Sequence, residues 1–301
     1  MSILVLCPFG ADAGLLTKAR ELNPDVRVLV PEEEATLAAS YGAKIIHTMP
    51  ANFSAADEGA FAQWLAEKIT QWGSAVVLSP ATVQMRGILP MVAAKLDAGL
   101  TADCTGLAME GDRLIQTRPA FGNSLMADIR TLSDVQLATV RPGTFRPQQA
   151  PVDSPVICPE QPTAGSRVKE LEFTPFTRGV PLSQASLIIA GGLGIGSREG
   201  FEKLEKLAAK LGGTVAASRS AVDAGFAPYR CQVGITGVTV CPKVYVAVGI
   251  SGAVQHLSGM SGAETVIAVN SDPKAPIFDY ADYGIVGDWE AVIDEIMEVL
   301  S

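Results

Sequence analysis

A short run in the C-terminal half gathers most of the groups able to do chemistry. Gly249-Ile250-Ser251-Gly252 follows the apolar run 244–248 and precedes Ala253, Val254, Leu257 and Met260, which fall at roughly helical spacing. The pattern reads strand, glycine turn, helix. Such a junction aims several uncommitted backbone N–H groups and the positive end of a helix dipole at one spot, which suits an anion and above all a pyrophosphate. Ser251 adds a hydroxyl donor. Gln255 and His256 are two polar side chains in an otherwise apolar stretch, near enough to reach the same ligand. The spacing is not the GxGxxG of the dinucleotide fingerprint, and the plainer reading of either polar side chain is a satisfied buried group.

These residues need a scaffold, and the flanking sequence supplies one. Residues 186–190 read as a strand ending in the glycine cluster 191–196. Residues 198–211 read as a helix with Phe201, Leu204, Leu207 and Leu211 on its inner face. Strands follow at 215–217, 244–248 and 265–269, with a last one through Ile285 and Val286 and a closing helix over 289–300. That predicts a parallel sheet of about five strands. Ligands of open α/β sheets sit beyond the carboxyl ends of the strands, near the switch in strand order. At those ends stand the glycines of 191–196, Ser218, Arg219, Gly249 to Gly252, Asn270 and Asp288. The expectation is that they converge on one edge and hold a nucleotide-type ligand.

The first half alternates short apolar runs (3–7, 26–30, 44–48, 75–78) with helical patterns (15–22, 32–41, 55–72, 87–96), so it too predicts a mostly parallel sheet flanked by helices. His47 falls on a strand and reads as structural or surface. From 101 to 140 the runs are broken by glycine and polar residues, and hairpins or edge strands are expected there, 136–140 included. Residues 142–165, rich in Pro, Gly, Gln and Thr, read as an exposed, partly extended connection. The alternating segment 167–173 is expected to rejoin the first sheet. The domain boundary is placed near 180, giving an N-terminal domain at 1–180 and a C-terminal domain at 181–301.

Composition excludes several classes. With 48% hydrophobic and 18% charged residues the chain can bury large cores and is not a disordered sequence. A formal net charge of −9 without a basic run argues against nucleic acid or an anionic membrane as main partner. No apolar run reaches the length of a membrane span. Cys7, Cys104, Cys158, Cys231 and Cys241 are scattered, without a CxxC, and read as reduced thiols of a cytoplasmic protein. Two histidines and no clustered ligand spacing argue against a bound metal.

Several longer segments carry a family resemblance. Residues 217–226 (ASRSAVDAGF), 232–237 (QVGITG), 244–260 (VYVAVGISGAVQHLSGM), 266–278 (VIAVNSDPKAPIF) and 281–288 (ADYGIVGD) closely resemble the FAD-binding domain of electron-transfer flavoprotein α subunits. Residues 79–96, 100–106 and 139–145 resemble that family's N-terminal α/β domain. The resemblance implies a doubly wound C-terminal FAD domain and a role as electron carrier. The chain would pair with a β subunit and act between a flavin dehydrogenase and a downstream redox acceptor. It implies that Ser251, Gly252, Ala253, Val254, Gln255 and His256 cradle the pyrophosphate and reach the flavin, with His256 near the pyrimidine edge. Ser218 and Arg219 would lie against the ring, and Val233, Gly234, Ile235 and Thr236 would pass close to it, the Thr236 hydroxyl near N5 or O4. Asn270 and Asp288 would hold the adenosine half, and the adjoining Trp289 is taken as a cofactor-binding position with them. Arg219 and His256 would set positive or donor groups where a reduced flavin carries negative charge. Two positions depart from the family's pattern: Leu193 replaces an arginine in the glycine cluster, and Ile235 replaces a frequent glutamine. A shifted midpoint potential or weaker FAD binding is expected from them. A nicotinamide-dependent enzyme, or a relative that has lost FAD, is the alternative.

Overall fold

The computed structural model describes residues 2–8, 10, 12–50, 56–120, 125–162, 168, 171–172 and 181–300. The chain divides into two compact units, Met1–Thr174 and Pro175–Ser301.

The first unit opens with β1 (Ile3–Leu6), α1 (Ala13–Leu22), β2 (Val26–Pro31), α2 (Ala35–Ser40), β3 (Ile45–Met49), α3 (Glu58–Trp72), β4 (Val76–Pro80) and α4 (Val83–Lys95). It continues with β5 (Gly99–Cys104), β6 (Gly106–Glu110), β7 (Arg113–Ala120), β8 (Leu125–Arg130), β9 (Gln136–Val140) and β10 (Val156–Pro159). Seven strands form a parallel sheet in the order β10-β3-β2-β1-β4-β9-β5. Side chains of a strand alternate between faces, and β1 uses both. Ile3 and Val5 pack with Leu15 and Leu16 of α1, while Leu4 and Leu6 pack with Phe61 and Leu65 of α3 and Ile88 of α4. α4 starts earlier than its periodicity suggests because Thr82 caps it, accepting from the Met85 N–H at 3.3 Å.

One expectation for this unit fails and another is incomplete. Residues 136–140 are no hairpin or edge: β9 is a fully buried strand between β4 and β5. Its polar first residue misleads, because Gln136 is satisfied by partners distant in sequence. The Gln136 Oε1 accepts from the Leu114 N–H at 2.7 Å, and its Nε2 donates to the Asp112 carbonyl at 3.0 Å. β6, β7 and β8 do form an antiparallel sheet. The stretch 142–165 is exposed and partly extended as expected, with β10 mostly exposed, but it also adds a strand. β10 joins the parallel sheet beside β3, with Cys158 in register with His47, and Glu160 then bonds His47 Nδ1 at 2.9 Å and Lys68 Nζ at 2.6 Å. A short run such as Val156-Ile157-Cys158 can enter a sheet edge when its backbone groups find partners. Here the amides of Val156 and Glu160 donate to the carbonyls of Lys44 and Thr48. The proposed sheet segment at 167–173 lies largely outside the described residues.

The second unit runs β11 (Leu187–Gly191), α5 (Arg198–Leu211), β12 (Thr214–Ala217), α6 (Arg219–Asp223), β13 (Val244–Val248), α7 (Val254–Met260), β14 (Thr265–Asn270), β15 (Tyr283–Val286) and α8 (Trp289–Val299). Its sheet is parallel throughout, ordered β12-β11-β13-β14-β15. Alternation again feeds two cores. Ile188, Ala190, Tyr245 and Ala247 face Leu257 and Met260 of α7; Ile189 and Val248 face Phe201, Leu204 and Leu207 of α5 and Ile293 of α8. This is a doubly wound α/β domain.

Candidate functional site

The chain leaves β11 toward β12 on one side and returns to β13 on the other, so the strand order reverses between β11 and β13. Connections diverge at such a point and leave a crevice beyond the carboxyl ends. The two glycine turns meet there. Gly192 N–H donates to the Val248 carbonyl at 2.8 Å, and Gly194 N–H to the Gly249 carbonyl at 3.1 Å. A Cβ on Gly192 would collide with the Gly249 carbonyl, and Gly249 itself adopts φ 63°. Main chain therefore packs directly on main chain, which only glycine allows at this contact.

Beside these turns opens a cleft of about 620 Å³. From the junction of β12 and α6 come Ser218, Arg219 and Ser220. Ser218 caps α6 by accepting from the Ala221 N–H at 3.3 Å, and its own N–H donates to the Gly191 carbonyl at 2.9 Å. Arg219 is exposed, its Nε 3.3 Å from the Asp223 carboxylate. A second wall is Val233 to Thr236, fixed by Val233 N–H to the Ala217 carbonyl (3.0 Å) and Ile235 N–H to the Gln255 carbonyl (2.9 Å). Ser251, Ala253, Gln255 and His256 form the third side. Ala253 is the N-cap of α7 and offers no side-chain acceptor; the His256 N–H donates to the Ala253 carbonyl at 2.9 Å, which leaves the Val254 and Gln255 amides without a described partner. α7 is only seven residues long, so these amides count for more than its dipole.

His256 lines the cleft yet is 6% exposed. Its Nδ1 lies 3.1 Å from the Val233 carbonyl and its Nε2 2.9 Å from the Tyr245 hydroxyl. A carbonyl only accepts, so Nδ1 carries the proton and Nε2 accepts from Tyr245. Burial pushes its pKa down to about 4, against the opposing effect of the Val233 bond. The imidazole is neutral at pH 7 and its N–H is spent inside the protein. The positive or donor group expected there is absent in this arrangement, because desolvation outweighs any gain from charge.

Asn270, at the end of β14, also lines the cleft. Its Nδ2 donates to the Ile250 carbonyl at 2.9 Å and its Oδ1 accepts from the Asp272 N–H at 3.0 Å, tying the glycine turn to the next loop. Gly252, Val254, Asp288 and Trp289 do not line the cleft. Gly252 backs onto Ile277, Val254 faces outward, Asp288 stands at the start of α8 beyond the edge strand, and Trp289 packs into the core with Phe201 and Ile293. Leu193, Gly194, Gly249 and Ile250, which the sequence placed at this edge, line it too, and so do Ser220, Asp272, Ala275 and Pro276, to which the sequence reading assigned no binding role. The signal for the last three was available: they follow Asn270 in the loop after a strand whose carboxyl end was already assigned. Among the described lining residues Arg219 is the one cation and Asp272 the one anion. No group of three or more His, Cys, Asp or Glu able to hold a metal occurs among the described residues, and no described helix is long and apolar enough to cross a membrane.

Comparison with known proteins fixes the family. Residues 10–175 match the electron transfer flavoprotein domain, and residues 181–261 match the electron transfer flavoprotein FAD-binding domain. The chain belongs to the electron-transfer flavoprotein α-subunit family. It is 44% identical over 268 residues to the electron transfer flavoprotein subunit alpha of Thermoanaerobacterium thermosaccharolyticum, covering 86% of this chain and 81% of that one. It is 47% identical over 227 residues to the protein FixB of Clostridium saccharobutylicum (72% and 67%). With the lactate dehydrogenase (NAD(+),ferredoxin) subunit LctC of Acetobacterium woodii it shares 40% over 230 residues (74% and 55%). The second unit is the family's FAD-binding domain, and the cofactor of this electron-transfer flavoprotein α subunit is FAD. The cleft suits that group on its own terms: it is of cofactor size, its glycine turns exclude side chains, and a helix start without a side-chain cap borders it.

Proposed function

We propose that FAD lies in the cleft at the β11/β13 crevice and that the chain, paired with a β subunit, relays electrons from a flavin dehydrogenase to a downstream acceptor. The observation that carries this is the meeting of two glycine turns, an uncapped helix start and one guanidinium around a single cleft. The amides around Ser251, Ala253 and Gln255 hold the diphosphate. Ser218 and Arg219 flank the ring, and the Thr236 hydroxyl faces its N5 and O4 edge. Asn270, through the turn it braces, shapes the adenosine end, and Asp288 and Trp289 bound that end from outside the cleft.

FAD, when bound, supplies a ring that takes up and releases electrons. The protein's part is to hold it and bias its charge states. Arg219 attracts negative charge on the ring, while the neutral His256 braces the wall through Val233 and Tyr245. Relay of this kind asks for no nucleophile and no acid–base pair, so the chain is read as a carrier that acts with partner oxidoreductases. That one relative bears the name of a dehydrogenase subunit supports a dehydrogenase as electron source. None of the five cysteines forms a disulfide, which fits a reducing compartment such as the cytoplasm.

Co-purification with the β subunit, an absorbance spectrum and nucleotide extraction test the proposal together. Flavin bands and released FAD are expected, with FAD lost on Arg219 and Thr236 double substitution more readily than on substitution at Asp288. A colourless complex that yields a nicotinamide nucleotide would overturn it.

A further inference from the structure

Gln232 does not line the cleft, yet it touches the hydroxyl that does. It is 3% exposed, and its Nε2 donates to Thr236 Oγ1 at 2.9 Å. The loop around them is closed without this bond. Gly234 N–H donates to Val238, Gly237 N–H to Gly234, Ile235 N–H to Gln255 and Val238 N–H to Gln232, all through backbone carbonyls. The Tyr229 hydroxyl holds the Thr236 carbonyl at 2.7 Å. The amide of Gln232 is therefore free of any duty in folding the loop back, and its one described side-chain contact goes to Thr236.

A threonine hydroxyl has one proton and two lone pairs. An amide N–H occupies one lone pair, so the proton must point elsewhere, and the open side of Thr236 is the cleft. We propose that Gln232 is a positioning residue: its buried amide fixes the Thr236 hydroxyl as a hydrogen-bond donor into the cleft, and so favours the oxidised over the reduced flavin. This rests on the reading that Thr236 faces the ring. The oxidised ring presents N5 and O4 as acceptors, which a donor hydroxyl satisfies. The reduced ring presents an N5–H, which needs an acceptor, and the hydroxyl can serve it only by swinging its proton away.

The test uses the complete FAD-loaded complex with its β subunit. Gln232→Met keeps the length and burial of the side chain and removes the donor. Dissociation constants of oxidised and reduced FAD are measured, with the two-electron midpoint potential. Expected is a three- to tenfold loss of affinity for oxidised FAD with none for reduced FAD, and a rise in potential whose upper end is about 30 mV. Thr236→Val should give a rise of the same sign, and the double variant should add nothing to it. Gln232→Asn, which keeps the site polar but withdraws the amide by one methylene, is read in parallel and stands in if the Met variant does not fold. If Thr236→Val moves the potential and neither Gln232 variant does, or if the Gln232 variants weaken both redox states equally, the positioning role is overturned. If Thr236→Val leaves the potential unmoved while FAD stays bound, the placing of Thr236 at the ring fails, and the inference with it.

Discussion

Both units carry parallel sheets with helices on their faces, yet they finish their carboxyl edges differently. In the first unit that edge is covered by the protein's own chain. A Cβ on Gly14, at the start of α1, would collide with the Phe145 carbonyl. Thr17 Oγ1 and Gln148 exchange hydrogen bonds at 3.0 and 3.3 Å, and the Arg141 guanidinium pairs with Asp103 at 2.7 Å. The start of α1 already has its anion: the Asp12 carboxylate accepts from the Leu15 N–H at 2.9 Å. In the second unit the corresponding edge is a cleft, and the helix that opens onto it is capped by Ala253, which supplies no side-chain acceptor. Where the protein provides its own cap and covering strap the edge is structure. Where it leaves amides unmet beside glycine, it has room and need for an anion brought from outside.

The largest test of that contrast is steric. Gly192→Ala drives a methyl group into the Gly249 carbonyl, and Gly14→Ala drives one into Phe145. Both should destabilise their own unit, by about 2–3 kcal/mol as overpacking does. Only Gly192→Ala should abolish FAD binding, read from flavin absorbance after gel filtration. A Gly14→Ala protein that loses flavin to the same degree would break the comparison. Next in size is an electrostatic swap. Ala253→Asp supplies the second unit with the kind of cap that Asp12 gives α1. The new carboxylate would satisfy the amides and repel a diphosphate, so FAD affinity should fall about a hundredfold, about 3 kcal/mol, while thermal stability holds or rises slightly. Unchanged affinity would show that those amides do not face the diphosphate.

The two histidines sharpen the comparison by pH. Both are buried, and burial lowers both pKa values. For His256 the folded value is about 4 against an ordinary 6.5, so between these values unfolding takes up a proton. Its contribution to the second unit is whole above pH 6.5 and is lost as pH falls toward 4, at most about 3 kcal/mol. The difference in melting between wild type and His256→Gln across that window measures it. In the first unit the carboxylate of Glu160 pulls His47 back toward its ordinary value, so the loss there should be smaller. An equal acid loss in both units would contradict the neutral, partner-locked state assigned to His256.

Much of this was legible in the chain itself, for identifiable reasons. The helix at 198–211 and the strand at 244–248 stand where periodicity placed them, since each has a long, unambiguous apolar pattern. The carboxyl-edge rule brought Ser218, Arg219, Ser251 and Asn270 to one cleft. The failures share a different cause. β9, β10 and the state of His256 depend on partners far apart in sequence: Leu114 for Gln136, Lys44 for Val156, Tyr245 and Val233 for His256. Local pattern carries no trace of such pairings. The contrast between Asp12 and Ala253 was, by comparison, visible in two residue types before two helices.

The smallest expected effect concerns Leu193, which is 54% exposed on the cleft wall, and with it Ile235 at 58%. Both are apolar side chains in water beside the site proposed for a ligand that bears two phosphates, and among the described lining residues Arg219 is the one cation to oppose them. Leu193→Arg adds a second cation, but one held half in solvent, where screening leaves an ion pair with about 1 kcal/mol or less. FAD should therefore bind a few-fold tighter, with the gain fading between low and physiological salt. The direction of any change in midpoint potential would also locate the site: an unmoved potential with tighter binding puts position 193 by the phosphates, and a raised potential puts it by the ring. If neither affinity nor potential moves even at low salt, the apolar residue at 193 has no bearing on how this unit holds its cofactor, and the side-chain cation at that edge is supplied by Arg219.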